Sequence, residues 1–299
     1  MTHGASSHKL ATEQAPACAG PRPEMRAPAW PVPFGACCCH AHVIGDGEEY
    51  SFVANRGYTP PAATETQYLH MLDGLGLTHG VLVQISVHGT DNSLMVEVLR
   101  DHPRRLRGVA VCAPDVPDAE LQALHEAGVR GLRFNVTTGG GVGFEALETL
   151  ASRIAPMGWH VQLLTTPERL VEVAPRLPTL PVDVVIDHMA YIRPPDGMAN
   201  PAYQVMLDLL KTGRTWVKIS GAYRNSLQDH EWSDTDDVAM GLIATRPDRL
   251  VWGTDWPHTH RAKVMFHTGE TLETLGRWMP DAGLRKRVLV DNPAQLYGF

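Results

Sequence analysis

Two histidines, His40 and His42, sit one residue apart near the start of the 299-residue chain. An aspartate, Asp255, stands near its end in Gly253-Thr254-Asp255-Trp256-Pro257-His258. Imidazoles and a carboxylate, brought together, support two chemistries. The carboxylate can take a proton from water while imidazoles steady charge developing on a carbonyl oxygen. Alternatively, the three groups can hold a divalent cation with one coordination position left open. Asp187-His188 adds a further carboxylate and imidazole, and Arg133 and Arg224 add guanidinium groups that can grip an anionic substrate through paired hydrogen bonds. Alone, each residue has an ordinary reading. The His-x-His pair can be surface or core, Asp255 a turn or helix cap, Arg133 the partner of a helix carboxylate, and His188 a satisfied core histidine.

The elements around these residues strengthen the functional reading. Short runs rich in β-branched residues recur at 37–43, 80–86, 106–114, 128–136, 159–166, 182–190, 216–223 and 250–257. They are apolar on both faces, as buried parallel strands are. Segments of helical character lie between most of them, for example 64–76, 118–128 and 144–158, each with a glycine at or near its end to serve as a C-cap. Eight such alternations predict a (β/α)8 TIM barrel. An open doubly wound sheet is the runner-up, but it wants a glycine-rich phosphate loop after its first strand, where Cys39-His40-Ala41-His42 stands instead.

In a barrel of this kind the C-terminal strand ends supply the reacting groups. Taken in turn they offer His40 and His42, then Gln84 and Ser86, Arg133 and Asn135, Asp187 and His188, Ser220 with Tyr223 and Arg224 beyond it, and Asp255. Ionisable groups at strand ends cost folding energy, so their recurrence on one face of the barrel points to a site. His40 and His42 alternate on one strand and therefore point the same way.

Composition sets the limits. Apolar residues make up 43% and charged residues 20%, ordinary for a globular protein. A net charge of −7 argues against a nucleic-acid surface. No apolar run reaches the length needed to span a bilayer, and the start of the chain lacks a signal-type apolar core. Five cysteines without a CxxC, three of them consecutive at Cys37–Cys39, suit a reducing, cytoplasmic setting. The three neighbours read as small buried residues of the first strand. Residues 1–33, rich in Ala and Pro, are expected to form a flexible arm ending in Trp30-Pro31-Val32-Pro33, with an ordered arm on the barrel or a partner subunit as the alternative. Residues 34–299 are expected to form a single barrel.

His40-Ala41-His42, Val185-Ile186-Asp187-His188-Met189, Gly253-Thr254-Asp255-Trp256-Pro257-His258 and the closing Asp291–Phe299 together resemble the amidohydrolase superfamily, in particular its lactone-hydrolysing branch. The resemblance covers about residues 34 to 299. It implies that Asp255 activates the hydrolytic water and that His40, His42 and His188 polarise the lactone carbonyl. It also implies that Tyr58, Ser86, Arg133 and Arg224 hold substrate carboxylates and ring oxygens, with Arg193 as a looser match for a second cation. Two features depart from the metal-dependent members: Cys38 stands where many carry an aspartate, and the fifth strand ends in Leu164-Thr165 without a histidine. The resemblance therefore favours hydrolysis without a cofactor; the alternative is one zinc on His40, His42 and Asp255.

The expected reaction is opening of a small anionic lactone by Asp255-activated water, with Arg133 and Arg224 orienting the substrate. A metal-dependent decarboxylase on the same barrel is a rival that wants tightly held zinc. A catalytically silent binding protein is another, and it has no need of Asp255. Oligomeric state is left open by the sequence.

Overall fold

Cys37 and Cys39 pack with Val81, Val83, Val109, Val185, Trp216 and Val251 in a core cluster closed by Tyr297 of the last helix. These residues alternate along their strands and meet inside the barrel. The opposite strand faces pack outward against helices in a second, larger cluster. The computed structural model describes residues 15–137, 140–259 and 265–299. The strands are β1 (Cys37–Ala41), β2 (His79–Val83), β3 (Leu106–Ala110), β4 (Val129–Asn135), β5 (His160–Leu164), β6 (Val184–Ile186), β7 (Thr215–Lys218) and β8 (Leu250–Val251). All seven successive pairings are parallel and in sequence order. Past β8, backbone bonds from Cys39 N to Trp252 O (2.8 Å) and from Asp255 N to His40 O (2.8 Å) bring the chain back against β1. The fold is the expected (β/α)8 barrel.

The helices run between the strands as expected, with shorter bounds. The segment read as 64–76 is Glu65–Gly74, started by a Thr64 capping box with Gln67. The 118–128 segment is Asp118–Glu126, and 144–158 is a central helix, Leu147–Ile154, with a 3-10 turn at each end. Among the described residues, no helix is long and apolar enough to cross a membrane. All five cysteines are free, and Cys37, Cys38 and Cys39 are buried.

Of the arm expected over 1–33, residues 1–14 lie outside the described residues. Residues 15–33 lie against the barrel: Cys18 N donates to Thr59 O at 3.1 Å, and the Arg285 guanidinium stacks over Trp30.

Two departures from regular strands shape the site. Cys37 and Cys39 face inward, yet so do His40 and His42, which one unbroken strand cannot arrange. The pairing of β1 with β2 slips between Cys38 and Ala41, and an extra residue there turns the side chains beyond it to the other face. Cys38 faces outward and takes the amide of Thr254 at 3.3 Å, which ties β1 to the segment after β8. The expected strands at 182–190 and 250–257 are also shorter than read. β6 gives way at Asp187 to a turn in which His188, Met189, Ala190 and Tyr191 all have φ between +51° and +54°. Such left-handed residues cost roughly 1–2 kcal/mol each. Burial and hydrogen bonds hold the turn, including Asn225 Nδ2 donating to His188 O at 2.9 Å.

Candidate active site

Where β8 leaves the sheet, Gly253 lies so close to β1 that a side-chain carbon there would stand 2.5 Å from the His40 amide nitrogen. Glycine is what allows the chain to pass against His40 and deliver Asp255 two residues later, itself at φ +60°. Asp255 is 1% exposed, and its two oxygens have different company. Oδ2 accepts from the Tyr223 hydroxyl at 2.6 Å and from Arg224 Nε, and it lies 3.8 Å from His188 Nε2. Oδ1 has no hydrogen-bond partner among the described residues. It faces His42 Nε2 at 3.6 Å and His40 Nε2 at 3.8 Å.

The histidines are fixed from behind. His42 Nδ1 lies 2.7 Å from the Val83 carbonyl oxygen. A carbonyl only accepts, so neutral His42 carries its proton on Nδ1 and turns a lone pair at Nε2 toward the site. His188 Nδ1 bonds Ser220 Oγ at 2.9 Å. Burial pulls all three imidazoles below the ordinary histidine value, His188 to about 4, so they are neutral near pH 7. Burial pushes the Asp255 carboxyl up, but its charged surroundings, the Arg224 guanidinium foremost, outweigh it and hold the group well below the usual carboxylate range.

A small cavity opens on these groups. His42, Tyr58, Ser86, Arg133, His188, Arg224 and Asp255 all line it, with Asn135, Tyr191 and Thr259 beside them. Thr259 Oγ1 donates to the Tyr58 hydroxyl at 3.2 Å. Arg133 is buried, with Nη1 3.4 Å from Gln84 O and Nε 3.4 Å from Asp187 Oδ2.

The structure thus gathers His40, His42, His188, Asp255, Tyr58, Ser86, Arg133 and Arg224 at one end of the barrel. Arg193 is not among the lining residues: it is exposed, with its guanidinium 5.8 Å from the centroid of the Tyr191 ring. Gln84 is also turned away, donating to the loop carbonyl of Asp91. Arg224 lines the cavity and at the same time pairs through Nε with Asp255.

Beneath the cavity, Gln162 and Lys218 join His40 and Asp187 in a cluster in which each residue is 0% exposed, and these two were not anticipated. Lys218 Nζ lies 2.7 Å from Gln162 Oε1, 3.4 Å from Asp187 Oδ1 and 3.2 Å from His40 Nδ1. The missed signal is a lysine in step with Trp216 and Ser220 along an apolar strand, which alternation turns into the barrel.

Ligand atoms of His40, His42 and Asp255 lie within 4.8 Å of one another, so a metal ion is possible by distance. Donor chemistry suits an ion poorly. An ammonium sits on His40 and a guanidinium on Asp255, placing fixed positive charge on two of the three ligands.

The chain matches a known family. The amidohydrolase family model (Amidohydro_2) matches residues 37–299, and the chain belongs to that family. It is 35% identical over 282 residues to a 2-pyrone-4,6-dicarboxylate hydrolase of Comamonas testosteroni, covering 90% of this chain and 92% of the relative. It is 32% identical over 294 residues to a 4-sulfomuconolactone hydrolase of Hydrogenophaga intermedia, covering 96% of this chain and 97% of the relative. Among solved structures, a probable 2-pyrone-4,6-dicarboxylic acid hydrolase from Acinetobacter baumannii with citric acid bound superposes with a TM-score of 0.79 at 29% identity. That match covers 89% of this chain and 100% of the other.

Proposed function

We propose that residues 34–299 form a lactone hydrolase that opens a small anionic lactone of the pyrone-dicarboxylate or muconolactone type, with Asp255 as general base and without a metal. The observation that carries this reading is the asymmetry of Asp255. One oxygen is held by Tyr223 and Arg224, and the other is bare and turned toward two histidines. Oδ1 and the His42 Nε2 lone pair, 3.6 Å apart, are two acceptors facing each other. A water molecule donating to both satisfies them and presents its oxygen to a substrate carbonyl.

The water oxygen adds to the lactone carbonyl carbon as Asp255 Oδ1 takes its proton. The carbonyl oxygen becomes an oxyanion, for which an imidazole N–H is the available stabiliser. Collapse breaks the ring carbon–oxygen bond, and the departing oxygen receives the proton held by Asp255. The products are a hydroxyl and a carboxylic acid on one open chain, and the acid ionises to a carboxylate by releasing its proton to solvent. His42, with its lone pair inward, suits the water better than the oxyanion, so the donor role falls to His40 and His188. Arg133 faces the cavity with its charge only partly matched by Asp187, which suits a substrate carboxylate or sulfonate. The hydroxyls of Tyr58, Ser86 and Thr259 suit the ring oxygens.

Two fixed carboxylates, Asp187 and Asp255, face three fixed cations, Lys218, Arg133 and Arg224, in this part of the barrel. That balance supports an anionic substrate, as does the citric acid bound by the Acinetobacter relative. The decarboxylase alternative has less support, because the identified relatives above 30% identity are hydrolases of lactone type.

The test is a hydrolysis assay with 2-pyrone-4,6-dicarboxylate, a muconolactone and a neutral lactone of similar size, followed by loss of lactone absorbance and by proton release. Turnover of an acidic lactone in preference to the neutral one is expected. Failure to open any of them would refute the reading.

A further inference from the structure

Lys218 reaches neither solvent nor the cavity, yet it touches one of the histidines nearest to Asp255 Oδ1. An ammonium has three N–H donors and no acceptor. Gln162 Oε1 takes one at 2.7 Å, and Asp187 Oδ1 stands 3.4 Å away as an ion-pair partner that makes no hydrogen bond. The Gln162 amide is oriented independently, because its Nε2 donates to Asp187 Oδ2 at 2.9 Å, which leaves Oε1 for the lysine. Another N–H has His40 Nδ1 at 3.2 Å.

His40 Nδ1 is also 3.3 Å from Asp187 Oδ1, so the opposite arrangement, with His40 donating there, must be weighed. It would set an imidazole N–H against an ammonium N–H. It would also turn the Nε2 lone pair toward Asp255 Oδ1, 3.8 Å away on the other side of the ring. Both ends of the imidazole therefore favour the same proton placement. Nδ1 accepts from Lys218, and Nε2 carries the hydrogen toward the carboxylate side.

We propose that Lys218 is a positioning residue that holds His40 as its Nε2–H tautomer, making the first histidine of the His-x-His pair a hydrogen-bond donor instead of a metal ligand. The consequence for hydrolysis rests on the function proposed above. In this arrangement His40 meets the lactone oxyanion with an N–H, while His42, held in the opposite tautomer by Val83 O, meets water with a lone pair. Two histidines on one strand thus present opposite hydrogen-bonding characters to one site. A metal would need the lone pair that Lys218 denies it, since a metal-binding imidazole nitrogen cannot keep its proton.

Nitrogen NMR of protein labelled with 15N-histidine reads the tautomer directly, with the His40 signals assigned by their loss in His40→Asn. The wild type is expected to show the proton on Nε2 and an accepting Nδ1. In Lys218→Met the proton is expected to move to Nδ1, facing Asp187. Equilibrium dialysis against zinc is expected to show at least about tenfold tighter binding in Lys218→Met, the scale on which groups behind a ligand act. For an acidic lactone, kcat should fall by about the same factor with KM little changed.

The wild-type measurement needs no variant, so a poorly folded Lys218→Met does not remove the test. A wild-type His40 proton on Nδ1 overturns the proposal. So does a folded Lys218→Met protein whose His40 tautomer and zinc affinity match the wild type. An Nε2–H tautomer in a protein that opens no lactone would leave Lys218 in its role and remove the lactonase reading instead.

Discussion

Arg224 binds Asp255 through a single carboxylate oxygen, Oδ2, which the Tyr223 hydroxyl shares at 2.6 Å. The pairing aims the other oxygen, Oδ1, at His40 and His42 and keeps the carboxylate ionised. A guanidinium expected to hold substrate thus also sets the orientation and charge of the proposed base.

Asp255→Asn should fold normally, because an amide oxygen can still accept from Tyr223 and Arg224. Turnover of an acidic lactone should fall by at least about a hundredfold, the usual scale for losing a general base. Steady-state kinetics beside a thermal melt decide it; near-wild-type turnover would end the role given to Asp255.

Arg133→Met should raise KM for acidic lactones and affect a neutral lactone much less. A charged hydrogen bond is worth roughly 1.5–3 kcal/mol, or about ten- to a hundredfold. Arg133 also faces the buried Asp187, so a melting curve must accompany the kinetics. Equal losses on charged and neutral substrates would assign Arg133 a structural part only.

Arg224→Met bears on pH. Arg224 is the principal group that lowers the Asp255 carboxyl against the upward push of burial. Removing it should raise that value and move the acid limb of kcat/KM to higher pH, since the base must be ionised to act. The sign for stability follows the same shift. A carboxylate depressed in the folded state stabilises above its unfolded value, and that stability is lost as pH falls through the folded one. The variant should therefore lose stability at neutral pH and begin its acid decline earlier. An acid limb that stays in place would show that another group controls it.

Hydrolysis should survive exhaustive chelation. Fixed positive charge on His40 and Asp255 disfavours a divalent cation there. Elemental analysis, with activity measured before and after dialysis against a chelator, settles the matter. One bound zinc per chain, with activity lost on removal and restored on return, would make His40, His42 and Asp255 its ligands.

Much of this architecture is local in origin and readable without coordinates. Eight short apolar runs separated by helical stretches specify a barrel because each run can bury both faces only between neighbours and covering helices. His40, His42, Arg133, His188 and Asp255 stand out because ionisable groups at strand ends are costly unless they serve a site. Other features depend on partners that meet only when the barrel closes. Lys218 and His40 are 178 residues apart, and Lys218 and Gln162 are 56 apart. The slip in β1 that turns His40 inward and the left-handed turn after β6 are likewise settled by packing against distant strands. Residue types and spacing alone specify which chemical groups can gather at one end of the barrel. Which oxygen of Asp255 is free, and which nitrogen of His42 faces the site, follow from the folded arrangement, because they depend on hydrogen-bond partners supplied by other strands.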